Sequence, residues 1–266
     1  MTHNLTLSEA AESAAKLILD GGHVERWVEG SIFPSEMAFF LAVCDSQKIK
    51  KVIESGRQDG YSTAILGDWG DHTGAKIISI DLESDQDRAV ACRLRLVNYK
   101  SLQLVRGNAY AEFGRYALDS RERTAFLTDG PKGAPAISMM AAALTDHVSV
   151  VASHNLHQGS MEYDYFRSIG DGSIFYENAI PNPGPNWVEL RRRDVDHARR
   201  VGAVRPLEAS SIGVLVLDER NRRAMKATWG KSFGLHQPAA VRLLWSLGAY
   251  KLTPLLYGAS YRLLGR

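Results

Sequence analysis

Short apolar runs that end on an acid or a small polar residue alternate with stretches whose apolar residues recur every three to four positions. The runs are Val52-Ile53 before Glu54, Ile77-Ile78-Ser79-Ile80 before Asp81, and Leu102-Gln103-Leu104-Val105 before Gly107-Asn108-Ala109. Two more follow, Ala125-Phe126-Leu127-Thr128 before Asp129 and Val148 to Ser153 before His154-Asn155. Runs of this length without strict alternation suit strands buried on both faces of a parallel sheet. Between them, Tyr61-Ser62-Thr63 opens a helix that Ser62 or Thr63 can cap, and residues 84–99 place Val90, Leu94 and Val97 on one helix face. Beyond Lys132-Gly133, Ile137, Met140, Ala141 and Leu144 share another. The alternation predicts an α/β fold, Rossmann-like and doubly wound, with a mostly parallel sheet, right-handed crossovers and helices on both faces. Its ligand crevice lies beyond the strands' carboxyl ends.

Two helices precede this unit. Thr6-x-x-Glu9 is a capping box followed by Ala11, Ala14, Ala15 and Ile18 at helical spacing, and Pro34 opens a helix with Met37, Phe40, Leu41 and Cys44 on one face. They form an expected helical cap over residues 1–50, over the cofactor or against a dimer partner. Near the other end, residues 173–179, 186–191 and 212–217 read as strands, with Pro181, Pro183 and Pro185 between the first two, so an antiparallel terminal hairpin is expected. The catalytic domain then spans 51–218 and a helical extension 219–266.

That extension is a separate electrostatic object. It holds nine Lys or Arg against Glu219 alone, which is +8, so a net charge of +2 leaves −6 on residues 1–218. Its Trp245, Leu247, Leu252, Leu255, Leu256, Tyr257, Leu263 and Leu264 are interleaved with Arg242, Lys251, Arg262 and Arg266. Packing on its own domain or on a second subunit is favoured over an anionic membrane surface, because Pro254 and Gly258 interrupt a long amphipathic helix. Nucleic acid is excluded as a partner by the acidic main body and the lack of a recognition motif. The chain has 266 residues, 45% hydrophobic, enough for a substantial core. Cys44 and Cys92 are its only cysteines, expected as buried thiols in a reducing compartment. No basic flank precedes an apolar run at the amino terminus and no window approaches the ~20 apolar residues of a span, so a cytoplasmic protein is expected.

The stretch 51–81, KVIESGRQDGYSTAILGDWGDHTGAKIISID, reads as strand, glycine loop, helix and second strand ending on a carboxylate. Free N–H groups at the helix start and an acid at Asp81 suit a nucleotide-like ligand and its ribose hydroxyls. Gly56 and Gly60 stand four apart, without the nested spacing of a dinucleotide fingerprint, which argues against NAD. The acid at the end of the first strand, Gly-x-x-x-Gly-x-Ser-Thr and the acid after the second resemble the class I S-adenosylmethionine (SAM) dependent methyltransferases. The resemblance covers roughly residues 51–154 and is nearest the cephalosporin hydroxylase-like and macrolide-sugar branch, with catechol O-methyltransferase behind it.

By that resemblance Glu54, Gly56 and Gly60 surround the methionine part of SAM, Asp81 binds the ribose, and Asn108-Ala109 lie near the adenine. Ser55, Tyr61, Ser62, Leu82 and Asp129 complete the cofactor-binding set. The resemblance also implies that strands six and seven close a seven-stranded sheet, with the loop 178–187 overhanging the substrate opening. The activity implied is O-methylation of a small hydroxylated acceptor by a homo-oligomer. The alternatives are N- or C-methylation, a hydroxylase-like activity, and a SAM- or nucleotide-binding partner protein without turnover.

The candidate chemistry rests on Asp129, Lys132, His154, Asn155 and His157. In one mechanism Asp129, His154 and Asn155 hold Mg²⁺ or another divalent cation that lowers the pKa of the acceptor hydroxyl, and Lys132 takes the proton. Asp129, Lys132 and Asn155 match the catechol O-methyltransferase pattern, whereas His154 stands where that family has an Asp. In the other mechanism His154 or His157 is a metal-free general base.

Overall fold

A computed structural model of the chain describes residues 6–132, 134–156, 161–169, 174–175, 180–202 and 212–228. Seven strands form one sheet: β1 (Lys51–Ser55), β2 (Lys76–Asp81), β3 (Leu102–Arg106), β4 (Thr124–Thr128), β5 (Val148–Ser153), β6 (Ile174–Phe175) and β7 (Gly213–Val216). Their order is β3-β2-β1-β4-β5-β7-β6. The first five pair in parallel, and β7 runs antiparallel to both β5 and β6. Between β1 and β4 the chain's progression across the sheet reverses, so the two adjacent carboxyl ends part and leave a crevice.

The strand pleat divides the core in two. Val52, Ile77, Ala125, Leu127, Val150 and Val214 belong to one apolar cluster with α1 (Leu7–Asp20), α2 (Pro34–Ser46), α3 (Tyr61–Thr73) and α8 (Pro185–Arg200). Ile53, Ile78, Ile80, Phe126, Val151 and Leu215 belong to another, with α5 (Ala109–Leu118), α6 (Ala134–Ala142), α7 (Met161–Ile169) and α9 (Glu219–Thr228). Neighbouring residues of one strand thus point to opposite faces. The capping box of α1 forms as the sequence predicts, Thr6 N–H reaching Glu9 Oε2 at 2.8 Å. Helix α2 is buried on all sides from Pro34 to Cys44, since α1, α8 and the sheet surround it. Both cysteines are buried free thiols.

Two local expectations are corrected, and one expected helix face is found to be exposed. Residues 186–191 are not a strand: Pro185 starts α8, and Trp187, Leu190, Asp194 and His197 are buried at helical spacing. The antiparallel pair β6–β7 is therefore joined through a helix rather than by a tight turn. The cap of α3 is neither Ser62 nor Thr63 but Gly60, at φ +78°; both hydroxyls are committed to Glu54. In α4 (Gln86–Leu96), Val90, Leu94 and Val97 point to solvent, while Cys92 and Leu96 are buried against Ala64. That helix lies at the outer edge of the layer, where only its narrow inner side finds partners.

Among the described residues no helix is long and apolar enough to cross a membrane. Residues 229–266, which carry most of the basic extension, lie outside the described residues, as do residues 178 and 179 of the loop 178–187 and the residue His157.

Candidate functional site

The carboxyl ends of β1, β2, β4 and β5 bring the predicted residues together around two carboxylates, Glu54 and Asp129. Glu54 is 1% exposed and accepts three hydroxyl hydrogen bonds: Ser62 at 2.5 Å on Oε1, and Thr63 at 2.6 Å and Ser79 at 2.5 Å on Oε2. Burial pushes its pKa up, and the three hydroxyls oppose that push. Glu54 thus ties the end of β1 to the first turn of α3 and to β2, and it holds the loop rather than reaching into the crevice. Ser62 serves the same knot.

Within the loop, Gly56 adopts φ +89°, and a Cβ there would stand 2.4 Å from the Gly130 nitrogen, so the β1 and β4 loops meet backbone to backbone. Asp129 and Gly130 both donate their N–H groups to Ser55 O, at 2.9 and 3.1 Å. Gly60 is required by packing: its Cβ would meet Cys92 Sγ at 2.6 Å. Arg57, which the sequence reading passed over, is buried, donates to Ser79 O at 2.6 Å and pairs with Glu83. Arg93 holds the other Glu83 oxygen at 2.7 Å. Hydrogen bonding and charge from these arginines leave the Glu83 carboxyl below its usual range, although burial, the largest influence, pushes it up.

Asp81 stands at the end of β2, accepting the N–H groups of Gln58 at 3.0 Å and Glu83 at 2.7 Å. It lines a groove of about 130 Å³ with Arg57, Gln58, Glu83, Ser84, Asp85, Arg88 and Ala89. Leu82 beside it is 61% exposed. Asn108 and Ala109 lie at the β3 to α5 junction, where Asn108 O accepts the Glu112 N–H at 3.1 Å. The hydroxyls of Ser55 and Tyr61 are buried without a partner among the described residues. Buried polar atoms cost free energy unless something hydrogen-bonds them. Two such hydroxyls at the β1 to α3 turn, with a carboxylate at the neighbouring strand end, fit a nucleoside-bearing ligand with polar groups at its other end.

Asp129 is the second centre. Its Oδ1 receives His154 Nδ1 at 2.8 Å and Asn155 Nδ2 at 3.4 Å, and Lys132 Nζ lies 3.3 Å away. Its Oδ2 has no hydrogen-bond partner among the described residues. Asn155 reaches its place through a left-handed backbone, φ +62°. The other face of the imidazole meets Glu36, whose Oε2 is 3.6 Å from His154 Nε2. Glu36 is fully buried and accepts the N–H groups of Phe33 and Ile212, each at 2.9 Å. Burial alone would lower the His154 pKa; the hydrogen bond to Asp129 and the charge of Glu36 outweigh it, and the pKa stands above the ordinary 6.5. Both neighbours thus favour the protonated form of the imidazole.

Glu36 was missed because a capping acid at the third position of a helix is ordinary. The available signal was that it stands in a segment apolar on every side, which makes any acid there a buried one. Asp194 of α8 was missed too. It is 6% exposed, accepts the Ser35 N–H at 3.0 Å, and its other oxygen has no partner among the described residues. Burial pushes its pKa up to about 7.

No family model and no curated protein matches the chain. Solved structures do. One is the O-methyltransferase from Bacillus cereus in complex with SAH, 15% identical, with a TM-score of 0.42 over 77% of this chain and 91% of that one. Another is the SAH-bound Podospora anserina methyltransferase PaMTH1, 15% identical, TM-score 0.41, over 82% and 91%. A third is the O-methyltransferase TomG from Streptomyces achromogenes, involved in tomaymycin synthesis, in complex with SAM: 14% identical, TM-score 0.42, over 79% and 90%. The solved proteins to which this chain is similar thus include methyltransferases bound to SAM or to its demethylated product.

Proposed function

We propose that the chain is a SAM-dependent O-methyltransferase acting on a hydroxyl of a small molecule. The observation that supports it most is Asp129: three donors fix one of its oxygens, the other has no partner, and its backbone abuts the glycine loop beside which the cofactor would lie. SAM, when bound, supplies a sulfonium-activated methyl group. Asp81 would hold its ribose, and the Ser55 and Tyr61 hydroxyls would meet its polar end. Asp129 Oδ2 would accept the proton released from the acceptor hydroxyl. His154 and Lys132 would orient that carboxylate beforehand, and Lys132, the more exposed of the two, would offset the charge developing on the acceptor oxygen. In this reading His154 is not itself the base, because both its nitrogens face carboxylates.

The donor set does not fit a divalent cation. Asp129 Oδ1 already faces the Lys132 ammonium, and His154 has no nitrogen to spare. Among the described residues no three His, Cys, Asp or Glu side chains group as ligands. Transfer from labelled SAM to a panel of hydroxylated acceptors tests both parts. Transfer is expected to survive exhaustive chelation; loss with EDTA and recovery with Mg²⁺ would return Asp129, His154 and Asn155 to a metal. Bound SAM with no transfer to any acceptor would favour a binding protein. Asp81→Asn is expected to weaken SAM about ten- to a hundredfold, since hydrogen bonds to a charged acceptor contribute roughly 1.5–3 kcal/mol. Calorimetry checks it, and unchanged affinity in a folded variant would remove Asp81 from the ribose.

A further inference from the structure

Asp81 is held by two backbone N–H groups, and both come from residues whose backbone is left-handed. Gln58, which donates to Oδ2 at 3.0 Å, has φ +44°, and Glu83, which donates to Oδ1 at 2.7 Å, has φ +51°. Neither is a glycine, so contacts elsewhere must offset the cost of that conformation. A buried ion pair touches both turns. Arg57 adjoins Gln58 in the chain, is 3% exposed, donates to Ser79 O through Nη1 at 2.6 Å and pairs with Glu83 through Nη2. Glu83 is 8% exposed, and Arg93 holds its other oxygen at 2.7 Å.

We propose that Arg57 and Glu83 are positioning residues that, through Asp81, set the chain's preference for a nucleoside bearing a vicinal ribose diol. The inference rests on the reading above that Asp81 meets the ribose of SAM. A carboxylate offers about four acceptor positions, two on each oxygen. A backbone N–H takes one on each Asp81 oxygen, and the one left on each suits the two neighbouring hydroxyls of a diol. Turning the carboxyl group would break these backbone bonds, so the donors fix its plane and the diol meets acceptors already in place. Arg57 fixes the first donor through its chain neighbour Gln58 and the second through its side chain on Glu83. One guanidinium thus ties the glycine loop after β1 to the turn after β2 around the carboxylate.

Calorimetry on the full-length chain with SAH and with its 2′-deoxy analogue tests this, because the analogue lacks one hydroxyl of the diol. The native chain is expected to prefer SAH by about tenfold or more, as the loss of one hydrogen bond to a charged acceptor implies. Arg57→Gln combined with Glu83→Gln removes both charges of the buried pair together and leaves neither unpaired. That variant is expected to keep the native circular dichroism while its preference for SAH falls below about threefold. Glu83→Gln alone keeps the shape of the side chain and both arginines, and should lower the preference in the same direction. A merely structural role would weaken the two ligands alike; an undiminished preference in the folded variants would overturn the proposal and leave the methyltransferase reading standing. A native chain that binds neither ligand would overturn that reading and the proposal with it, and native binding without preference would take the diol away from Asp81.

Discussion

Asp129→Asn is expected to slow methyl transfer by about 10²–10⁴-fold, the range over which a positioned general base acts. Asparagine keeps an oxygen for the His154 and Lys132 contacts, so the loss reads the missing base rather than a collapsed site. Single-turnover transfer from labelled SAM measures it, and a variant as fast as the native chain would take Asp129 out of the proton path. The pH profile supplies the second arm. His154 has a folded pKa above the ordinary 6.5, so the stabilisation it lends is fully present below that value and is lost as pH rises through the elevated one. The native rate should fall over that same rise, as the cation between Asp129 and Glu36 disappears. His154→Gln should be slower and should lack this alkaline limb, whereas a structural role for His154 would lower the rate at every pH alike.

Asp194→Asn should stabilise the protein in alkaline solution and do little in acid. The Asp194 carboxyl has an ordinary value of 3.8 and sits at about 7 in the folded chain, with burial as the main cause. The folded state therefore holds the proton more tightly than the unfolded one, and stability declines as pH rises from about 4 to about 7, then levels off. Three units correspond to about 4 kcal/mol, an upper figure because local rearrangement relieves part of it. Asparagine preserves the acceptor for the Ser35 N–H and removes the charge that the partnerless oxygen would carry. Denaturant unfolding at pH 5 and pH 8 distinguishes the cases: a gain confined to pH 8 is expected, and equal effects at both would show that Asp194 is ionised throughout.

The strands and the residues at their carboxyl ends were legible because parallel strands buried on both faces read as unbroken apolar runs. Glu54, Asp81, Asp129 and His154 were all placed in this way. Their partners were not legible. Nothing local joins Glu36 to His154 or Asp194 to Ser35; these contacts are made only when α2 and α8 are laid over the sheet. The tryptophan and valine of Asn186-Trp187-Val188 invited a strand assignment that the helical burial of Trp187, Leu190 and Asp194 overrules. The stripe on α4 had the right period and the wrong direction, because periodicity gives a face without saying what meets it. The expectation for His157 falls on a residue outside those described.

Glu36 also dictates when the molecule can become whole during its synthesis. Its Oε1 accepts the N–H of Ile212, 176 residues later in the chain, and nearby Ser35 waits for Asp194, 159 residues on. Glu12 of α1 similarly waits for Asn186 and Trp187. Helices α1 and α2 therefore lack these hydrogen-bond partners until residues 186–212 have emerged, and α2, apolar on every side, must be shielded in the meantime. Such distant closures are slow to form and leave sticky surface waiting. A nascent chain stalled before β7 would hold Asp129 and His154 but not the closed contact that positions Glu36, so that contact awaits the emergence and docking of β7.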